Sequence, residues 1–248
     1  MSGLAAGIRL AHYGKKVLVL EKHAIPGGLN SHFSKDGRRF DVGLHAMTNF
    51  VQRGQRSAPL TKLLRQLRIP YDELDLVEQS FSAIDFPENK ICFGNSFTIM
   101  SEEVAREFPN EIDGFLKLVE HVKNYDDVSL DAKYISAQEV VASFIQSKVL
   151  RDMIFCPVMY YGSAVEDDMD FAQFCIMFKS LYLEGFCRPR TGVRHLLRIL
   201  RKKLLDNGAE VRMKTGVKQI LRHNNKAIGV QLDNGEIIHA TNVLSSAG

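Results

Sequence analysis

A helix followed at once by a buried strand opens the chain. Residues 3–13 (GLAAGIRLAHY) have apolar side chains at helical spacing, and Gly14 after them is typical of a helix end. Residues 16–21 (KVLVLE) form a continuous Val/Leu run, which is typical of a strand buried in a parallel sheet. This order is half of a βαβ unit, and the strand that should come before the helix is missing. The opening therefore predicts an α/β fold with a parallel sheet.

The last third of the chain returns to the same type of pattern. Leu and Val residues recur at helical spacing over 193–204, and Asn207-Gly208 marks the helix end. Four strand-like runs follow, at 210–213, 217–222, 227–232 and 236–240. Because Asn, Asp and Gly tolerate positive φ, the turns at 224–225 and 233–235 predict a β-meander. A final apolar run at 242–246 predicts one more strand.

The middle of the chain has a different character. It predicts a strand within 36–43, a helix over 59–68 and short aromatic-rich strands over 80–100. From 101 to 185 the pattern is helical, with a capping box at Ser136 and Glu139 and an apolar helix over 168–183. The segments predict a first domain part at 1–50, an inserted domain at 51–187 and a second domain part at 188–248.

Composition excludes several classes of protein. With 32 Lys and Arg against 29 Asp and Glu, the net charge of +3 is too small to indicate a nucleic-acid partner. The four cysteines have neither zinc nor redox spacing, and the eight histidines show no metal-ligand grouping, so we expect reduced thiols and no metal. No apolar run has the length of about 20 residues that a spanning helix needs, and the N-terminus lacks signal-peptide features. A cytoplasmic protein is predicted.

Glycines near the N-terminus suggest a dinucleotide site. In the GxGxxG turn the third glycine lets helix and strand pack closely, and Gly3 can hold that position, with Gly7 continuing the close packing. Glu21 follows 18 residues after Gly3, at the strand end where an acidic residue accepts hydrogen bonds from a ribose. An ordinary helix N-terminus and a surface carboxylate explain the same two residues equally well.

The following segment carries a resemblance to a known family. Gly27-Gly28 stands a short loop after Glu21, and VLVLEKHAIPGG followed by SHFSKDGRRFDVGLH resembles the opening of FAD-dependent oxidoreductases of the phytoene desaturase and retinol saturase type, within the amine-oxidase-like flavoproteins. The segments PRTGVRHLLRILRKKLLDNGAEVRMKTGVKQI and AIGVQLDNGEIIHATNVLSSAG are similar to a second FAD-contacting region of that family. The resemblance implies a Rossmann-like FAD-binding domain, made of a parallel sheet and a β-meander, with an inserted α+β substrate domain.

The resemblance also implies roles for individual residues. Glu21 would bind the adenosine ribose, Gly3 would lie at the pyrophosphate, and Val217 would contact the adenine end through its backbone. Gly27 and Gly28 would line the cofactor path. The segment of Gly43, Leu44, His45 and Ala46 would run beside the isoalloxazine ring.

Two departures from the family pattern affect these expectations. Thr191-Gly192 stands where the family usually has paired glycines. The first strand with its two glycines and the C-terminal segment over the flavin are both missing, so the chain is expected to be an internal piece of a longer flavoprotein. Backbone groups left unpaired by a missing strand cost about 1–3 kcal/mol each when buried, and we therefore expect the piece alone to bind FAD poorly.

The implied activity is flavin hydride transfer on carbon–carbon double bonds of a hydrophobic polyene or isoprenoid-like substrate, as in a desaturase, saturase or isomerase. His45 either assists proton transfer or only shapes the pocket. Aromatic and Met side chains over 80–100 and 153–186 suit an apolar cavity, although ordinary core packing explains them as well. The basic face at 194–203 is either a solvated helix face or a peripheral membrane contact.

Two alternative functions stay open. A flavin amine oxidase would share the cofactor and the fold. A Rab GDP-dissociation inhibitor would share the fold without the flavin and would bind prenylated proteins. Glu21 and Gly27-Gly28 argue against the second alternative, because a fold without the cofactor has no physical need for them.

Overall fold

The computed structural model describes residues 1–56, 58–129 and 133–247, which form two compact units. The first unit comprises Met1–His45, Pro59–Leu76 and Arg188–Gly248, and the second comprises Ala46–Ala58 and Val77–Cys187. Residues 59–76 thus belong to the first unit, although the predicted division places them in the inserted domain. The assignment of a function to each domain stays a prediction.

The helices and strands follow in chain order. The helices are α1 (Ser2–His12), α2 (Pro59–Leu67), α3 (Phe97–Glu107), α4 (Ile112–Asn124), α5 (Ala137–Phe144), α6 (Lys148–Met159), α7 (Phe171–Phe178) and α8 (Val193–Asp206). The strands are β1 (Leu18–Leu20), β2 (His32–Lys35), β3 (Arg38–Asp41), β4 (Leu76–Glu78), β5 (Ser82–Asp85), β6 (Lys90–Phe93), β7 (Cys187–Pro189), β8 (Glu210–Arg212), β9 (Val217–His223), β10 (Lys226–Leu232) and β11 (Ile237–His239). Short 3-10 turns span Gly28–Asn30 and Tyr71–Leu74, and a π-helical turn, Lys179–Glu184, continues α7.

A parallel strand pair lies at the centre of the first unit. β1 pairs with β8, with Val19 opposite Val211. Gly7 packs α1 onto this pair: a Cβ on Gly7 would stand 3.0 Å from Leu204 Cδ1 and 3.3 Å from Val19 Cγ2. The predicted helix-to-strand opening and its close packing at Gly7 are therefore confirmed.

An antiparallel meander follows the parallel pair. β10 pairs with β9 on one side and β11 on the other, and the turns use Asn224, Asn225 and Gly235 at φ values of 47°, 60° and 90°. The strand predicted at 242–246 is wrong, because these residues adopt no strand conformation. Apolar composition makes a strand only where a neighbouring strand accepts its hydrogen bonds. The backbone bond from Ala240 N–H to Ile228 O lies just beyond β11, at the end of the meander.

The second unit is built around a helical core. β5 and β6 form a hairpin in which Ile84 faces Ile91, and α3 to α7 pack together. The Ser136 hydroxyl accepts a hydrogen bond from Glu139 N–H at 3.1 Å, as the capping box predicts. The helix predicted from 168 begins at Phe171, because the Asp168 carboxylate accepts hydrogen bonds from Gln138 N–H at 3.0 Å and Met169 N–H at 2.8 Å instead.

The aromatic and Met side chains of the second unit are mostly core residues. Buried members are Phe93, Met153, Phe155, Phe174, Phe178 and Tyr182. Others remain outside this core, since Phe81 is 63% exposed and Tyr160 is 82% exposed. Core packing thus accounts for most of the side chains that also suited an apolar cavity.

Among the described residues, no helix combines the length and the apolar character that crossing a membrane requires.

Candidate functional site

Glu21 sits at the carboxyl end of β1, and its backbone is held from two sides. Its N–H donates to Arg212 O at 2.9 Å, and its carbonyl accepts from Thr215 N–H at 2.8 Å. Its Oε1 accepts from His23 N–H at 2.9 Å, which fixes the side chain at the start of the loop. The parallel pair β1 and β8 thus ends beside Glu21, at the sheet edge where open α/β sheets bind ligands.

Val217 comes to the same end of the sheet. It begins β9, pairs with Leu232 and is 43% exposed. The chain just before it is held tightly, because Gly216 O accepts from Asp233 N–H at 2.9 Å and a Cβ on Gly216 would overlap the Asp233 carboxylate. Since Thr215 bonds to Glu21, the structure brings these two predicted site residues together.

The two adjacent glycines have different surroundings. Gly27 is buried at φ 118°, and a Cβ there would stand 2.9 Å from both Asn30 O and Leu197 Cδ1. Gly28 is exposed at φ 58°, with no atom within 4 Å of an added Cβ. Gly27 is therefore required for packing of the turn, while Gly28 leaves open space in front of the backbone.

Gly43 lies against that turn. Its N–H donates to Leu29 O at 2.9 Å, and a Cβ on Gly43 would overlap the same oxygen. Leu44 is half-buried and His45 is exposed. The structure thus brings Gly43 to the Gly27-Gly28 turn, whereas the described residues offer His45 no hydrogen bond or ion pair.

Gly3 lies in the first turn of α1. That turn contains no acidic residue, and no side chain caps it. A Cβ on Gly3 would stand 2.9 Å from Ser246 Oγ, so residues 3 and 246 are neighbours. A helix N-terminus of this kind attracts anions through its free N–H groups and the helix dipole.

Asp41 is a structural residue of this unit whose role the sequence did not predict. Its carboxylate accepts from Val193 N–H at 3.2 Å at the start of α8, and its side chain is only 8% exposed. Arg188 and Arg194 approach it at 3.5 and 3.9 Å, and Arg194 Nε is buried with no hydrogen-bond partner among the residues that the structure describes. Gly192 is buried at φ 84°, where a Cβ would overlap Asp41 Oδ2. The sequence offered one signal for this role: Asp41 stands at the end of the predicted strand, two residues before Gly43.

The arrangement fits the predicted cofactor. Gly28 provides a backbone surface that a phosphate or sugar can approach, and Glu21 provides carboxylate acceptors for ribose hydroxyls. The uncapped first turn of α1 provides N–H donors for a pyrophosphate. Nothing in these contacts tests the roles of the individual residues, which stay predictions.

Comparison with known proteins agrees with the predicted flavin cofactor. The family model described as flavin containing amine oxidoreductase matches residues 1–248. The chain is 27% identical over 278 residues to a chloroplastic prolycopene isomerase of Daucus carota, covering all of this chain and 44% of that protein. It is 28% identical over 283 residues to a neurosporene-forming phytoene desaturase of Rhodobacter capsulatus, covering all of this chain and 51% of that protein. The chain therefore spans about half the length of these relatives.

A solved structure shows the same fold. An oxidoreductase from Methanosarcina mazei superposes with a TM-score of 0.69 at 18% identity, over 96% of this chain and 55% of that one. The predicted α/β fold class is thereby confirmed. The full-length family match also confirms the resemblance seen in the sequence. The chain belongs to the flavin containing amine oxidoreductase family, in which FAD is the usual cofactor.

Proposed function

We propose that the protein is an FAD-dependent oxidoreductase that acts on carbon–carbon double bonds of a hydrophobic polyene substrate. The observation that carries the proposal is the 2.8 Å hydrogen bond from Thr215 N–H to Glu21 O. This bond joins the strand-end carboxylate to the segment that leads into Val217, so two residues 196 positions apart lie at one sheet edge. A ribose and an adenine need neighbouring contacts of this kind.

Each predicted residue has one role in the proposal. Glu21 binds ribose hydroxyls, and the backbone of Val217 contacts the adenine. Gly3 lies at the pyrophosphate, and Gly28 lets the cofactor approach the turn that Gly27 shapes. Gly43, Leu44 and His45 lie beside the isoalloxazine ring.

The flavin, when bound, supplies the hydride acceptor or donor for a change in a double bond. The chain's own residues bind and orient that group. His45 is exposed, and we assign it the proton transfer that accompanies the change in the double bond.

The substrate class follows from the relatives and from the second unit. The relatives' names refer to prolycopene and phytoene, which points to a hydrophobic polyene for this protein as well. We assign substrate binding to the inserted domain, residues 51–187. A substrate of this class dissolves in lipid, which favours peripheral contact with a membrane.

The test of cofactor binding is a titration of the chain with FAD, followed by flavin fluorescence and visible absorbance. Replacing Glu21 by Ala removes charge-assisted hydrogen bonds to the ribose and should lower the affinity about 10- to 100-fold. Glu210→Ala is the matched control, because Glu210 is an exposed carboxylate at the opposite, amino end of the paired strand β8. Its affinity should equal that of the wild type.

The same titration is run on the chain and on a version extended at both ends by the flanking sequence. Binding in either version that responds to Glu21→Ala but not to Glu210→Ala supports the proposal. Absence of flavin from both versions would contradict it, and capture of a prenylated GTPase would then favour the binding-module alternative. Reduction of the bound flavin by amines but not by polyenes would favour an amine oxidase.

The role of His45 is tested separately with His45→Asn in the flavin-loaded protein. Loss of a proton-transfer group should lower turnover about 100-fold or more while the affinity for FAD stays the same. Turnover that falls less than about tenfold would leave His45 with a role in pocket shape only.

A further inference from the structure

The β2–β3 hairpin exposes an aromatic surface. Phe33 pairs directly with Phe40, and their rings stack at 5.0 Å between centroids with an interplanar angle of 15°. Even so, Phe33 is 48% exposed and Phe40 is 41% exposed. Val42, two residues beyond Phe40 and so on the same face, is 40% exposed. A stacked pair of this type would normally be covered, because each ring carries a large apolar area.

Cations stand beside the aromatic rings on the same face. Lys35 pairs with Arg38, and each lies two residues from one of the phenylalanines, so all four side chains project to one side of the hairpin. Both cations are exposed, and neither makes an ion pair with another described residue. Arg39, which pairs with Ser34, adds a third cation on the other face of the hairpin, and the turn adds one carboxylate, Asp36. The hairpin tip is therefore positively charged next to its apolar surface.

We infer that this face, made of Phe33, Phe40, Val42, Lys35 and Arg38, docks the protein onto an anionic phospholipid surface. Aromatic rings enter the interfacial region of a bilayer, and nearby Lys and Arg side chains remain at the anionic headgroups. Charge complementarity favours an anionic phospholipid surface over an apolar protein partner. An apolar partner would cover the rings but would not account for the two unpaired cations beside them. The hairpin thus provides both the apolar insertion and the electrostatic attraction that peripheral membrane binding needs.

The inference deepens the proposed function, on which it rests for the lipid-soluble substrate. It assigns the membrane contact to the hairpin and not to the basic face of α8. Its test needs no flavin, so failure of vesicle binding and failure of FAD binding are separate results.

The experiment measures flotation of the chain with vesicles of phosphatidylcholine containing phosphatidylglycerol, and with vesicles of phosphatidylcholine alone. Lys35→Gln combined with Arg38→Gln should weaken binding to the anionic vesicles about 25-fold, that is, about fivefold for each cation. Phe33→Ser combined with Phe40→Ser should weaken it at least about tenfold. Salt should weaken wild-type binding, and the neutral vesicles should bind less at every salt concentration.

Two matched controls replace exposed residues of the same types elsewhere. Arg198→Gln with Arg201→Gln neutralises the basic face of α8, and Phe81→Ser removes an exposed aromatic ring of the second unit. Both controls should bind like the wild type. Circular dichroism checks the fold of each variant, and the Lys35 and Arg38 pair keeps the test decisive if the phenylalanine variant does not fold.

Three results would overturn the inference. Wild-type chain that does not float with anionic vesicles rules out the membrane as the occupant. Hairpin variants that bind as the wild type does rule out the hairpin. Loss of binding in the α8 variant alone would move the contact to that helix.

Discussion

The carboxylate of Asp41 lies directly against the backbone of Gly192. Oδ2 accepts a hydrogen bond from the next residue, Val193, at 3.2 Å, and a Cβ on Gly192 would overlap that same oxygen. The contact joins β3 to the first residue of α8 across 152 positions in the sequence. The carboxylate acts as the N-terminal cap of a 14-residue helix that carries much of the first unit's core.

We expect Gly192→Ala to lower the free energy of unfolding by about 2–4 kcal/mol. An alanine at φ 84° is strained, and its methyl group must also displace the Asp41 carboxylate from the helix N-terminus. Urea denaturation followed by circular dichroism measures the loss.

Gly208→Ala is the matched control at the other end of the same helix. Gly208 has a similar φ of 77°, but nothing lies within 4 Å of an added Cβ. Its loss should be about 1–2 kcal/mol, from backbone strain alone. Equal losses for the two variants would show that the overlap with Asp41 has no energetic consequence.

In the second unit, the side-chain amide of Asn95 holds the backbone of a residue that is distant in the sequence. Asn95 Oδ1 accepts from Phe186 N–H at 2.9 Å, and Asn95 Nδ2 donates to Phe186 O at 3.1 Å. We expect Asn95→Ala to cost about 1–3 kcal/mol, because it leaves Phe186 N–H without this partner, while Phe186 O keeps the hydrogen bond from Gln79 N–H at 3.2 Å. Asn124→Ala, which removes only local bonds on an exposed helix end, should cost less than about 0.5 kcal/mol. Similar unfolding midpoints for the two variants would contradict this assignment.

Local pattern predicted the elements well, for physical reasons that are visible in the sequence. Helical spacing over 193–204 identified α8, because Val193, Leu197 and Leu204 are the residues that it buries. Turn chemistry at Asn224 and Asn225 identified the meander, because positive φ restricts the residue type.

Polar contacts between residues that are distant in the sequence could not be predicted from local patterns. Spacing led to Glu21 and the family resemblance led to Val217, but neither says anything of Thr215 N–H, which joins the two segments. Asp41 was seen only as the end of a strand, and its contact with Gly192 depends on how distant segments fold together. The run at 242–246 was assigned a strand from composition, yet pairing depends on a neighbour that composition does not specify.

Asn49 is held in a left-handed conformation by a polar network. At φ 59° its Nδ2 donates to Ser180 Oγ at 3.0 Å and to Glu184 Oε2 at 2.6 Å. Asn49→Gly relieves the backbone strain but removes both bonds, so we expect a loss of about 1–2 kcal/mol. Asn49→Asp adds repulsion with the Glu184 carboxylate and should lose more, by at least about 1 kcal/mol. Thermal unfolding at neutral pH compares the two variants, and a more stable Asp variant would contradict the network.

Burial of two thiols makes stability depend on alkaline pH. Burial raises the pKa of Cys175 to about 12 and that of Cys187 to about 11, from an ordinary value of 9.0. Below pH 9 the thiols are protonated in both states, and their contribution to stability is fully present. As the pH rises above 9, the unfolded chain releases protons that the folded chain retains, so unfolding becomes more favourable.

The free energy of unfolding should therefore fall between pH 9 and the raised pKa values, by up to about 1.4 kcal/mol per pH unit for each thiol. Cys175→Ala removes one of the two groups, so its stability should fall less steeply over the same range, even though the smaller side chain lowers stability at every pH. Urea denaturation at a series of pH values from 8 upward measures both slopes, and the difference between them isolates the thiol from the tyrosines that also titrate there. Parallel curves for wild type and variant would mean that the Cys175 thiol ionises in the folded protein as it does in the unfolded chain.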